Sequence, residues 1–196
     1  LSSSSAASDV YKRQMLKRAV KHADAVVVPS HAVGARLAEI AKLSGRIRVI
    51  PGAAPCGLVV PFDATARRAS LSLPAGYLVL TGSADSLEHG FRAAIAAGKE
   101  AVVLDAPEGS EPRLAEVAAA AGLSESKAHI RGSLSVEDRA AVLAGASALV
   151  ATSPRAAWPW RAVEAMTLGV PVVAVESGVH PVSYTHLRAH ETKANL

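Results

Sequence analysis

Short runs of Val, Leu and Ile with apolar residues at successive positions, spaced by alanine-rich helical stretches, constrain this chain more than any other feature. A strand with one wet face alternates apolar and polar residues. A continuous apolar run is buried on both faces, which needs a parallel sheet with helices over each side. The runs are Ala25–Val28, Tyr77–Thr81, Ala101–Leu104, Ala148–Thr152 and Pro171–Val175; Ala128–Arg131 is a further predicted strand, and Arg46–Ile50 alternates apolar and basic residues. Between them, Ser30 caps a predicted helix to about Leu43, with Val33, Leu37 and Ile40 at helical spacing. Further helices are predicted over Leu87–Ala97, Glu111–Ala121, Val136–Ala144 and Arg161–Leu168. With right-handed crossovers this pattern predicts an α/β fold, a Rossmann-like doubly wound parallel sheet. Residues 51–72 hold Pro51, Pro55 and Pro61 and no clear period, so they read as a linker. Residues 15–50 then read as the end of one domain, and residues 73–181 as most of another.

The two ends share no pattern with the middle. By the genetic code Asp9–Gln14 reads as GAT GTG TAT AAG AGA CAG, and Ser183–Thr192 as TCT TAT ACA CAT CTC CGA GCC CAC GAG ACN. The first resembles a transposase mosaic end and the second its complement running into an adapter. Residues 1–14 and 182–196 are therefore expected to be adapter-derived and are set aside. Pro181 sits at the junction, and Met15 need not be a start codon.

Without those tails the basic character nearly disappears. Losing Lys12, Arg13, Arg188 and Lys193 on one side, and Asp9 and Glu191 on the other, lowers the net charge from +4 to +2. No Lys/Arg stripe with interleaved aromatics remains, so no nucleic-acid partner is expected. Cys56 is the single cysteine, which excludes an internal disulfide and a cysteine-based zinc site. No apolar run reaches the roughly 18 residues of a membrane span, and a cytoplasmic location is the default expectation. Peripheral membrane association through segments outside this chain stays open.

In such sheets ligands bind beyond the carboxyl ends of the strands, and four places qualify. Gly82 and Ser83 follow one strand, where a glycine admits a ligand to the backbone and the next helix start can receive phosphate. Arg131-Gly132 ends a second, with Ser135 as a helix cap. Ser153 opens a loop holding Trp158 and Trp160, the only tryptophans. Glu164 lies near a helix start, where a carboxylate can accept two hydrogen bonds from vicinal hydroxyls or simply complement the helix dipole.

The stretch VEAMTLGVPVVA (Val163–Ala174), after ASALVATSP and IRGSLSVEDRAAVLAGA, resembles the C-terminal donor domain of family 4 glycosyltransferases, which have the two-domain GT-B fold. HADAVVVPSHAVGARL (His22–Leu37) followed by RIRVIPGA (Arg46–Ala53) resembles the end of their N-terminal domain and the interdomain connection. The resemblance implies a truncated GT-B protein that transfers a sugar, with retention, from a nucleotide-sugar donor. It implies no metal and no cofactor beyond that substrate. The acceptor, whether glycan, lipid or small molecule, is left unknown. Under it Glu164 holds the donor ribose, Ile130 and Arg131 offer backbone to the base, and Gly82 lies beside the diphosphate. Ser153, Arg155 and Arg161 are further candidates for phosphate or sugar contacts.

Three positions depart from the family pattern. Ala156 stands where a second Glu contacts the transferred sugar, Pro159 replaces a glycine, and Glu88 occupies a region that carries an Arg-Lys pair. Proline removes a phosphate-binding N–H, and a lost cation costs several kcal/mol of charge stabilisation. Two alternatives therefore stay beside transfer: a binding or partner module that has lost catalysis, and a nucleotide-sugar epimerase. The chain as it stands is expected to be inactive, because most of the acceptor-binding domain is missing from it.

Overall fold

A computed structural model describes residues 3–41, 43, 45–153 and 158–175, with side chains from residue 10 onward. The chain divides into two compact units, 1–52 and 53–196.

The first unit holds helix α1 (Ser3–Lys21), strand β1 (Val26–Val28), helix α2 (His31–Ile40) and strand β2 (Ile47–Val49). Strands β1 and β2 pair in parallel, with Val27 opposite Arg48. Ser30 caps α2 as expected, its hydroxyl accepting the Val33 N–H at 3.2 Å. A small core gathers Val20, Val28, Leu37 and Leu43. Helix α1 runs through the residues read as adapter-derived. No Gly or Pro interrupts them, and Ala, Lys, Arg, Gln and Met all favour helix. Its side chains from Val10 to Ala19 are exposed and Val20 is the first buried one.

The second unit is a five-stranded parallel sheet in the order β5-β4-β3-β6-β7. Its strands are β3 (Leu78–Thr81), β4 (Ala101–Val103), β5 (Ala128–Ile130), β6 (Ala148–Ala151) and β7 (Val172–Ala174). Successive residues of β3 face opposite sides. Val79 belongs to a core with Val102, Val142, Leu143 and Leu149, and Leu80 to one with Leu87, Phe91, Val103 and Leu114. The second core lies under α4 (Ala84–Ala96) and α5 (Glu111–Ala121), the first under α6 (Val136–Ala144) and α7 (Trp160–Thr167). Both faces are covered, as the continuous apolar runs require.

The stretch expected to be linker carries a helix, α3 (Ala64–Ser70), packed against α6. Its ATARRAS sequence has no apolar period; Ala64 is its buried residue, and polar contacts reach from it to α6. Arg67 pairs with Asp138 at 2.7 Å and with Asp63 at 2.8 Å. Arg68 donates to the Ala141 carbonyl at 3.1 Å, closing the end of α6. Helix α4 also begins three residues earlier than the predicted Leu87, directly behind Gly82 and Ser83.

Tyr77, just ahead of β3, is fully buried and donates its hydroxyl to Val142 O at 2.6 Å. Burial pushes the phenol up to about 12 from 10.0, with nearby Arg68 acting weakly the other way. The folded value lies above the unfolded one. Stability from the neutral phenol is therefore complete below pH 10.0 and lost as pH climbs through about 12. The loss should reach roughly 2–3 kcal/mol. Urea denaturation of wild type and Tyr77→Phe across this range checks it: the wild type should lose stability more steeply, and parallel profiles would contradict the assignment.

Candidate functional site

Strand β3 sits at the centre of the sheet, and the chain winds outward from it through β4 to β5 before returning to β6 on its other side. The connections reverse direction there, so their loops part and leave a crevice between the carboxyl ends of β3 and β6. Gly82 leaves β3 and Thr152 leaves β6. A Cβ on Gly82 would overlap the Thr152 hydroxyl and lie 2.6 Å from Ser86 Oγ, so a larger residue there requires these hydroxyls to shift. Three hydroxyls join around it. Ser86 Oγ lies 3.0 Å from Thr152 Oγ1 and donates to Ser83 O at 2.9 Å, and Ser83 Oγ donates to Ser86 Oγ at 3.2 Å.

Helix α7 begins at Trp160 behind Pro159, which has no N–H and no side-chain cap. The first polar side chain facing inward is Glu164, only 2% exposed. Arg139 of α6, itself 8% exposed, grips it with two bonds, Nε to Oε2 at 2.9 Å and Nη2 to Oε1 at 3.1 Å. The remaining terminal nitrogen of Arg139 donates to Leu134 O at 3.1 Å. Arg161 adds a third bond, Nη1 to Oε2 at 2.9 Å. Arg161 in turn holds Asp105 at the end of β4 through two bonds, of 2.6 and 3.0 Å. Desolvation acts most strongly on the Arg161 guanidinium and opposes its charge. Asp105 and Glu164 together outweigh it and raise the pKa above the ordinary value. The four charges cancel, so the cluster offers a shaped surface without a net positive field.

Asp105 and Arg139 were not singled out from the sequence, yet each leaves a trace there. Asp105 has a φ of +57°, a left-handed conformation that Asp tolerates better than most residues, and it directly follows an apolar strand. Arg139 lies on the helical stripe Val136, Arg139, Ala140, Leu143, where an apolar side chain belongs. A charge on such a stripe asks for a buried partner.

A cleft of about 270 Å³ opens at this crevice, with Thr81, Gly82, Asp105, Ser153, Trp158 and Arg161 on its walls. Trp158 is 8% exposed, and its buried Nε1–H has no hydrogen-bond partner among the described residues. An unmet donor of this kind costs about 1–3 kcal/mol. Trp160 also lines the cleft and is 51% exposed.

The expected residues divide into three groups. Gly82, Ser153 and Arg161 line the cleft, Ser83 adjoins it at the N-cap of α4, and Glu164 stands behind Arg161. Ile130, Arg131 and Gly132 end the edge strand and are not on the cleft wall. The Arg131 N–H donates to Val103 O and its carbonyl accepts from Ala106, while its guanidinium reaches Ile130 O and Leu71 O. That residue ties α3 and the β4 loop to the sheet. Arg155 and Ala156 lie outside the described residues. Glu88 is half-exposed and paired with Arg92 at 2.6 Å. Among the described residues no group of three or more His, Cys, Asp or Glu side chains could hold a metal ion, and no helix is long and apolar enough to cross a membrane.

The family described as glycosyl transferases group 1 matches residues 77–189 of the chain. Among solved structures, the chain is similar to HepE from Anabaena, determined in complex with UDP and glucose. The two share 22% identity at a TM-score of 0.69, covering 87% of this chain and 50% of that one. It is also similar to sucrose-phosphate synthase from Thermosynechococcus elongatus, with 25% identity and a TM-score of 0.67, covering 91% of this chain and 47% of the other. The chain thus spans about half the length of both. A sequence comparison with curated proteins finds no match.

Proposed function

Because the chain belongs to the glycosyl transferases group 1 family, we propose that it is the donor half of an enzyme that transfers a sugar from a nucleotide sugar to an acceptor, with retention of configuration and without a metal. One observation carries this reading. The cleft lies at the switch point of the sheet, with Gly82 on one wall and the buried carboxylate of Glu164 behind Arg161 on another. A glycine wall lets phosphates approach the backbone beside the start of α4. A buried carboxylate paired with Arg139 suits a pair of ribose hydroxyls. The fold it shares with HepE, a protein solved with UDP and glucose, makes UDP the natural first probe.

Calorimetric titration of the chain with UDP, GDP and ADP tests the donor site, and at least one should bind. Glu164→Gln keeps the side-chain volume but removes the charge. It should weaken that binding by about 1–3 kcal/mol, the range for a charged hydrogen-bonding group. Unchanged affinity in a folded variant would remove Glu164 from the ribose. Transfer itself is tested in the full-length parent protein across a panel of nucleotide sugars, with the anomeric configuration of the product read by NMR.

A second reading, nucleotide binding without transfer, is favoured by Pro159, which offers no N–H at the start of α7, and by the engagement of Glu88 with Arg92. Nucleotide affinity together with no turnover in the full-length protein would select it.

A further inference from the structure

A carboxylate has about four acceptor sites, and three N–H groups already occupy those of Glu164: two from Arg139 and one from Arg161. Two ribose hydroxyls need two sites, and one is left. One N–H must therefore leave when a ribose binds. Arg139 cannot be the one that moves. Its side chain is 10% exposed and makes a third bond to Leu134 O, and pulling it away would strand a charge in the core. Arg161 can. It is more exposed, lines the cleft, and would keep both of its bonds to Asp105.

We propose that Arg161 is an exchangeable partner of Glu164: donor binding replaces its bond to that carboxylate with a ribose hydroxyl and turns the freed N–H to the donor's phosphates, while Asp105 keeps the guanidinium at the cleft. The exchange also answers the charge problem. In the free protein two carboxylates share Arg161. After exchange Glu164 is neutralised by Arg139 alone and Arg161 is balanced only by Asp105, so more of its charge faces the phosphates. Of its five N–H groups, three are engaged in the free protein, so donors for an incoming oxygen are at hand. This inference rests on the reading of Glu164 as the ribose ligand.

The test compares the tightest of UDP, GDP and ADP with its own nucleoside, by NMR titration of the tryptophan indole signals in wild type, Arg161→Met and Arg161→Lys. In Arg161→Met the nucleoside should bind as well as in wild type or several-fold better, because a competitor for Glu164 is gone. The diphosphate should bind at least about tenfold more weakly. The advantage of the diphosphate over the nucleoside then shrinks by at least the same factor, and Arg161→Lys, which keeps the charge, restores most of it. Equal weakening of both ligands would overturn the exchange and leave Arg161 as a scaffold for Glu164. An unaltered diphosphate affinity would overturn it too, since the phosphates would not meet Arg161. Failure of all three diphosphates to bind wild type would instead bring down the donor-site reading on which the exchange stands.

Discussion

Replacing Arg139 by Met is expected to lower the stability of the chain by about 3–5 kcal/mol, the penalty for leaving a buried charge without its partner. Glu164 would keep only the single bond from Arg161 at 2.9 Å, while its other oxygen faces the core. Arg161 limits the damage, so the lower half of that range is the closer expectation. The double variant Arg139→Met/Glu164→Met removes both charges and should recover most of the loss, because an apolar pair of similar volume replaces a desolvated ion pair. Equilibrium urea denaturation of the two single variants and the double one gives the coupling directly. Additive losses would mean that the two side chains do not depend on one another, contrary to their bidentate geometry.

Gly82→Ala should cost about 3 kcal/mol, at the upper end for a methyl forced into a filled space. The added carbon overlaps the Thr152 hydroxyl and comes within 2.6 Å of Ser86 Oγ, both held by their own hydrogen bonds. Moving them breaks the hydroxyl group that joins β3 to β6 at the cleft. In a background carrying Thr152→Ala and Ser86→Ala the same substitution should cost under about 1 kcal/mol, since both obstructing oxygens are gone. A loss of equal size in both backgrounds would show that the glycine is needed for something other than this close approach. The same comparison, repeated with the nucleotide that binds best, tells whether the cleft wall must be free of a side chain for phosphate to enter.

Several features of the site were legible before any coordinates. Gly82 follows an apolar strand, Ser135 precedes a helix as its cap and accepts the Asp138 N–H at 3.0 Å, and Glu164 sits in a pattern specific enough to point to its family. These are local signals, written within a few residues of where they act. What escaped was non-local. Helix α3 buries only Ala64, and its Arg67 and Arg68 find their partners, Asp138 and Ala141, on another helix. The Arg131 side chain reaches the Leu71 carbonyl at the end of α3, a contact that its place after an apolar strand does not announce. A single line of sequence contains both members of each pair and nothing that joins them.

The same division holds for the protein as a whole. The sequence by itself determined the α/β class, because burying both faces of a strand demands continuous apolar runs, and it determined where most strands and helices lie. It also determined membership of the family, through a motif read in order. Only the tertiary structure decided what surrounds Glu164. Arg139 comes from α6 to the Glu164 carboxylate, and Asp105 comes from the end of β4 to Arg161, only when the sheet has wound; the Arg161–Glu164 bond alone is local to α7. Periodicity records which face of an element is buried. It does not record which buried charges meet, because ion pairing depends on distances between atoms that the chain order leaves free.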